Sequence, residues 1–235
     1  MKTRPSVLLA AALTIGSSLS SFAASITISD EDFANGSWSE IVNQLTPGES
    51  HTATQSLTGG NSDAFRSMTH GFTGSGTISV FHQYNDSAYA PGVSGAILSL
   101  DYSEDQIQFN PPFSGAQIGA TPALLQDGIV YVGPSMNFGS TSWSAASLTG
   151  LTAADFTAFG GSANPDFAET GSVIHFGFQR FNSTGGVVAE TQHGIDNWSV
   201  TLETNSVPDT ENAWALLGLG LGCCAFFTHR RVERA

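Results

Sequence analysis

Ser172-Val-Ile-His-Phe-Gly-Phe-Gln-Arg-Phe181 alternates with a period of two. In a strand that period places Ile174, Phe176, Phe178 and Arg180 on one face and Val173, His175, Gly177, Gln179 and Phe181 on the other. The first set is apolar up to Arg180, so it is expected to face a core. Shorter runs of strand formers recur on both sides of this segment: Ser25–Ser29, Gly76–His82, Ala96–Tyr102, Gln106–Phe109, Asp127–Val132 and Asn197–Leu202. Clusters of Gly, Ser, Asn and Pro separate them, and no long 3.6-residue period occurs between Ser25 and Val207. The pattern predicts an all-β sandwich. One stretch, Ser147–Phe159, departs from it. Thr152 followed by Asp155 has the spacing of a capping box, which predicts a helical turn or two, ended by Gly160-Gly161.

The domain closes on Thr191-Gln-His-Gly-Ile-Asp-Asn-Trp-Ser-Val-Thr-Leu202. This segment resembles the last strand of secreted jelly-roll modules of the carbohydrate-binding and lectin-like kind. The resemblance implies a jelly-roll β-sandwich in which this strand pairs with an N-terminal one, here Ile26–Phe33. It also implies a structural calcium near the two termini, held by Asp30, Asp32 and Asp196 with nearby carbonyls, since calcium takes six to eight oxygens. A solvated acidic edge that discourages edge-to-edge pairing is the other reading of the same residues. Asp101–Asp105 reads as an acidic turn between strands. Trp198, between Ile195 and Val200, is expected in the core.

Composition limits the chemistry. The full chain has a formal charge of −13, and the segment from Ser25 to Val207 has only two cations, Arg66 and Arg180, against 17 acidic residues. Binding to nucleic acid or to anionic membrane surfaces needs Lys and Arg, so both are excluded as partners of this domain. No cysteine lies within it, so no disulfide staples it. His51, His70, His82, His175 and His193 occur singly, without a metal-ligand spacing, and no Gly-x-Ser-x-Gly elbow occurs. A glycosidase pair of carboxylates is chemically open but not marked by any motif. Sugar rings stack on exposed aromatic faces. On that ground the polar loop Tyr84-Asn85-Asp86-Ser-Ala-Tyr89 is the expected glycan contact, through Tyr84, Asn85, Asp86 and Tyr89.

The two ends read as addresses. Lys2 and Arg4 precede the apolar run Val7–Ile15, and Ser21-Phe22-Ala23 offers small residues for cleavage after Ala23, the layout of a secretory signal peptide. At the other end Val207-Pro208-Asp209-Thr210 leads into an uncharged run, Ala213–Phe227, closed by Arg230 and Arg231. As a helix that run spans roughly 22 Å against a ~30 Å hydrocarbon core. Its glycines at 218, 220 and 222 and its terminal arginines favour a membrane anchor. Motif, apolar helix and basic cluster resemble the PEP-CTERM sorting signal, in the variant opening Val-Pro-Asp-Ser-Gly; Thr210-Glu211 stands where that variant has Ser-Gly. The resemblance implies export and handling by an exosortase, a membrane transpeptidase, with Val207, Pro208, Asp209, Arg230 and Arg231 as the sorting residues. The expected organisation is a signal peptide over 1–23, an ectodomain over 24–206 and a sorting tail with one transmembrane helix over 207–235. The expected function is that of a non-catalytic envelope or extracellular-matrix protein that binds polysaccharide or is displayed with it. A divergent extracellular glycan hydrolase and a purely structural surface protein are the alternatives.

Overall fold

Twelve strands follow one another in a computed structural model that describes residues 23–205 apart from residue 114. They are β1 (Ala23–Asp30), β2 (Trp38–Leu45), β3 (Ser50–Gly60), β4 (Asp63–Phe72), β5 (Ser75–Tyr84), β6 (Ile97–Gln108), β7 (Gly119–Gln126), β8 (Ile129–Val132), β9 (Ser144–Leu151), β10 (Thr157–Ala158), β11 (Ile174–Gly185) and β12 (Ala189–Asn205). The segment expected to be a signal peptide, the expected sorting residues Val207, Pro208, Asp209, Arg230 and Arg231, and the apolar run between them lie outside the described residues. Among the described residues no helix is long and apolar enough to cross a membrane.

The strands form two six-stranded antiparallel sheets. One runs β3-β4-β12-β6-β9, with β1 on the second half of β12; the other runs β10-β8-β7-β11-β5-β2. All connections except β3–β4, β7–β8 and β10–β11 cross from one sheet to the other, the winding of a jelly roll. The expected pairing of first and last strands is present, from Ala23 opposite Asn205 to Asp30 opposite Trp198. Both ends of the described chain therefore leave from one end of the sandwich, the terminal end. The opposite, distal end is where Phe72 meets Ala189, Ser75 meets Gly185, and Gln108 meets His193.

β11 presents the face its sequence predicts: Ile174, Phe176, Phe178 and Arg180 are all buried. In the last strand the alternation is broken by a bulge between Asp196 and Ser199, where Asn197 has φ 49°. An extra residue in one strand of a pair shifts the faces, so Ile195 and Trp198 both point inward although three residues apart, and Trp198 is fully buried as expected. The interior divides along its length. Towards the terminal end it is aromatic and aliphatic: Trp38 stacks on Phe33 at 5.4 Å and meets Trp198 edge-on at 5.2 Å, and Leu100, Leu124, Val200 and Leu202 complete it. Towards the distal end polar side chains replace much of that packing.

Two local expectations are corrected. Residues 144–151 are a strand, and the capping box of Thr152 and Asp155 caps only a single 3-10 turn, Ala153–Asp155. Phe156 is already extended, because β10 follows at once. Asp101–Asp105 is no turn: it lies inside β6, where Glu104 and Asp105 are buried.

Candidate functional site

The loop expected to contact glycan is mostly structural. Tyr89 is 4% exposed and donates its hydroxyl to the carbonyl of Gly95, so it cannot serve as a stacking face. Tyr84 is half-buried against Trp38 and Trp198. Asn85 is engaged on both sides, accepting from Ser39 Oγ and donating to the carbonyl of Gly36, while Asp86 is exposed. The acidic residues also have protein partners. Asp30 accepts from the amides of Asp32 and Phe33 and, at 2.6 Å, from Trp38 Nε1. Asp196 is fully buried and accepts from the amides of Ser62 and Asn197. Asp30 and Asp32 thus share a turn that Asp196 does not join. Among the described residues no group of three or more His, Cys, Asp or Glu side chains is arranged to hold a metal ion.

An open concavity lies at the distal end. A groove of about 120 Å³ is walled by Phe72, Ala189 and the β6–β7 loop (Pro112, Phe113, Ala116, Gln117) and floored by Gln108, Asn182 and Thr191. Phe113 is 52% exposed beside it. A shallower recess continues along Pro111 and Gly139. The floor is a hydrogen-bonded set: Gln108 Nε2 donates to Thr191 Oγ1 at 3.1 Å, and Asn182 Nδ2 donates to the carbonyl of Gln117 at 2.9 Å. Gln108 Oε1 is buried without a protein partner. None of the lining residues is ionisable. Sequence reasoning missed this site because Gln108, Asn182 and Thr191 are single polar residues on three strands, with Gln108 on β6 far along the chain from the other two on β11 and β12. The one local signal is Phe113, an aromatic residue in a Pro-rich connection.

Beneath the floor lies a layer of buried charged and titratable groups. Arg180 and Glu104, both fully buried, pair at 2.8 Å, and the Tyr102 hydroxyl donates to the other carboxylate oxygen of Glu104 at 2.5 Å. Burial, reinforced by the Glu104 charge, pushes the Tyr102 phenol well above its ordinary value. Arg180 also lies over the ring of Phe178 at 4.7 Å, a cation–π contact. Arg66 pairs with Glu40 at 2.6 Å and donates from Nε to His82 Nδ1 at 3.4 Å. His70 donates from Nδ1 to Asn182 Oδ1 at 2.6 Å and meets His193 edge-on at 4.8 Å; the amide oxygen can only accept, which fixes the direction. Burial pushes His70 down to about 4, and pushes His82 and His193 well below the ordinary imidazole value. All three are neutral at pH 7. Both cations of the domain are thus interior and paired.

The fold and site define the class: an antiparallel β-sandwich with an uncharged end groove in an otherwise acidic domain. No family model and no curated protein matches the chain. Solved structures do. A family 11 carbohydrate-binding module from Clostridium thermocellum, in complex with a β-1,3-1,4-mixed-linked tetrasaccharide, is 12% identical and superposes with a TM-score of 0.47 over 77% of this chain and 96% of that one. The CBM22-1 xylan-binding domain from Paenibacillus barcinonensis Xyn10C is 9% identical, with a TM-score of 0.39 over 77% of this chain and 95% of that one. The likeness is one of fold alone.

Proposed function

We propose that this chain is an exported, non-catalytic envelope protein whose sandwich holds a neutral polysaccharide in the distal groove. The observation that carries the reading is the groove's lining. In a domain with 17 acidic residues, the concavity at its distal end has no ionisable group. Uncharged amides and hydroxyls can exchange hydrogen bonds with sugar hydroxyls without desolvating a charge, and the half-exposed ring of Phe113 offers an apolar face for a pyranose. The lining gives no titratable group for acid–base work, which favours retention over hydrolysis. Export and sorting rest on the two ends of the sequence: the signal peptide, and a tail in which Val207-Pro208-Asp209, the run Ala213–Phe227 and Arg230-Arg231 resemble an exosortase substrate. The sandwich suits display from such a tail, since β12 runs roughly 55 Å at about 3.3 Å per residue from the groove to the end where Asn205 leaves.

Retention of the full-length chain on insoluble mixed-linked β-glucan, xylan and agarose, against anionic alginate, tests the binding. Retention on at least one neutral polymer and roughly tenfold weaker binding by Phe113→Ala, equivalent to about 1.4 kcal/mol, are expected. Retention on alginate alone, or an unchanged Phe113→Ala, overturns the reading. Mass spectrometry of the mature protein from a strain with an active exosortase tests the sorting: a product still carrying Arg230-Arg231 excludes processing.

A further inference from the structure

The groove floor stands on two buried histidines. Across the strand pairs, Gln108 is the direct partner of His193, and Thr191 is the direct partner of His70. The third floor residue, Asn182, is hydrogen-bonded to His70. Every polar group of the floor is therefore adjacent to one imidazole of a pair in edge-on contact. His193 is fully buried and neither of its ring nitrogens has a protein partner. From the surrounding strands His51, His82 and Arg180 face the pair. The carboxylates within reach are committed elsewhere, Glu104 to Arg180 and Glu40 to Arg66. A proton arriving on either imidazole meets the Arg180 cation and no free anion. A buried charge without a counter-ion is not tolerated, and the cost is relieved when the strands part and water enters.

We propose that the groove is an acid-released site, in which proton uptake by His70 and His193 breaks down the floor and frees the bound glycan. The glycan half of this inference rests on the function proposed above; the opening of the groove end does not. Each histidine held neutral shifts the balance between closed and open forms by up to about tenfold per pH unit below 6.5, until its folded value is reached; for His70 that value is about 4.

Amide hydrogen exchange on the full-length chain, at pH 7.5 and 5.0 and corrected for intrinsic rates, tests the opening. Residues 66–72, 104–108 and 180–193 should lose protection about tenfold or more at pH 5.0, while residues 23–30 and 199–205 keep theirs. The double variant His70→Gln with His193→Gln should show no such pH response. If that variant does not fold, the wild-type imidazole resonances decide: either ring titrating near 6.5 overturns the proposal. Equal protection of the distal strands at both pH values also overturns it, as does a response that survives in a folded double variant. Retention on β-glucan, xylan or agarose that is unchanged by Phe113→Ala removes the glycan reading alone and leaves the acid opening standing.

Discussion

The two ends of one sandwich are held together by different physics. At the terminal end Trp38, Trp198, Phe33, Tyr84 and Phe178 interlock, and stability comes from burying aromatic surface. At the distal end the same two sheets are joined through Arg180–Glu104 and His70–Asn182. Apolar burial is indifferent to protonation and tolerant of local gaps. A buried polar network depends on every member, because a group that loses its partner keeps its desolvation cost. The terminal end, where β1 closes on β12, is suited to carry whatever leaves the domain. The distal end is suited to a groove that can be undone.

Equal blows to the two ends break this comparison if it is wrong. Arg180→Met leaves Glu104 buried without its cation and should cost about 3–5 kcal/mol. Trp198→Ala at the other end should cost a similar amount, about 3–5 kcal/mol, through the lost transfer energy and the cavity. The difference lies in repair. Adding Glu104→Gln to Arg180→Met removes the stranded charge, keeps an acceptor for Tyr102, and should recover most of the loss. No second substitution of comparable economy refills the space of an indole. Urea unfolding of the full set checks both sizes; an Arg180→Met that remains as unstable with Glu104→Gln as without it would show that the pair's electrostatics are not what joins the sheets there.

The next effect is in pH. His70, His82 and His193 are held neutral in the fold, so the unfolded chain takes up more protons wherever its histidines titrate. Stability is therefore full above pH 6.5 and is lost as pH falls towards the folded values. For His70, whose folded value is about 4, the loss across that window is roughly 3 kcal/mol, with His82 and His193 adding in the same direction. Thermal melts at pH 7.5, 6.0 and 5.0 should show a steadily falling midpoint, and Trp198→Ala should shift all three midpoints without changing their spacing. A flat profile would mean that the histidine layer is already hydrated.

The same division explains what the sequence could say. Alternation of apolar residues found β11 and β5, where the inward face is largely apolar, while the pairing of β1 with β12 came from the resemblance of the closing segment to jelly-roll modules. It missed β4, whose inward residues are Arg66, Met68, His70 and Phe72, since two polar side chains in four erase the pattern. It placed Asp101–Asp105 in a turn because acidic residues mark solvent unless a cation is supplied, and the cation for Glu104 comes from β11, far along the chain. Edge strands β3 and β9, rich in Ser, Thr and Ala, carry too little apolar contrast to register. The groove was illegible for the same reason as β4: its floor is made by polar residues facing in. Tyr89 misled in the opposite sense, since its hydroxyl finds a backbone carbonyl indoors.

The smallest effect concerns Asp30, at the rim of the apolar end, where the resemblance suggested a metal ligand. Its carboxylate accepts three hydrogen bonds, from the amides of Asp32 and Phe33 and from Trp38 Nε1. They hold Phe33 at φ 51°, a conformation that a bulky residue adopts only under constraint, and they lay its ring on Trp38. Asp30→Ala should cost about 2 kcal/mol, the range for hydrogen bonds to a charged group, and Trp38→Phe, which removes one of the three, about 1 kcal/mol. Asp32 is exposed and its side chain makes no hydrogen bond among the described residues, so Asp32→Ala should stay within about 0.5 kcal/mol of wild type. Melts in excess calcium and in chelator separate the two roles of Asp30. If the carboxylate serves the Phe33–Trp38 corner, the cost of Asp30→Ala is the same in both. A cost that appears only in calcium assigns Asp30 to a metal, and the aromatic end then shares the distal end's dependence on charge.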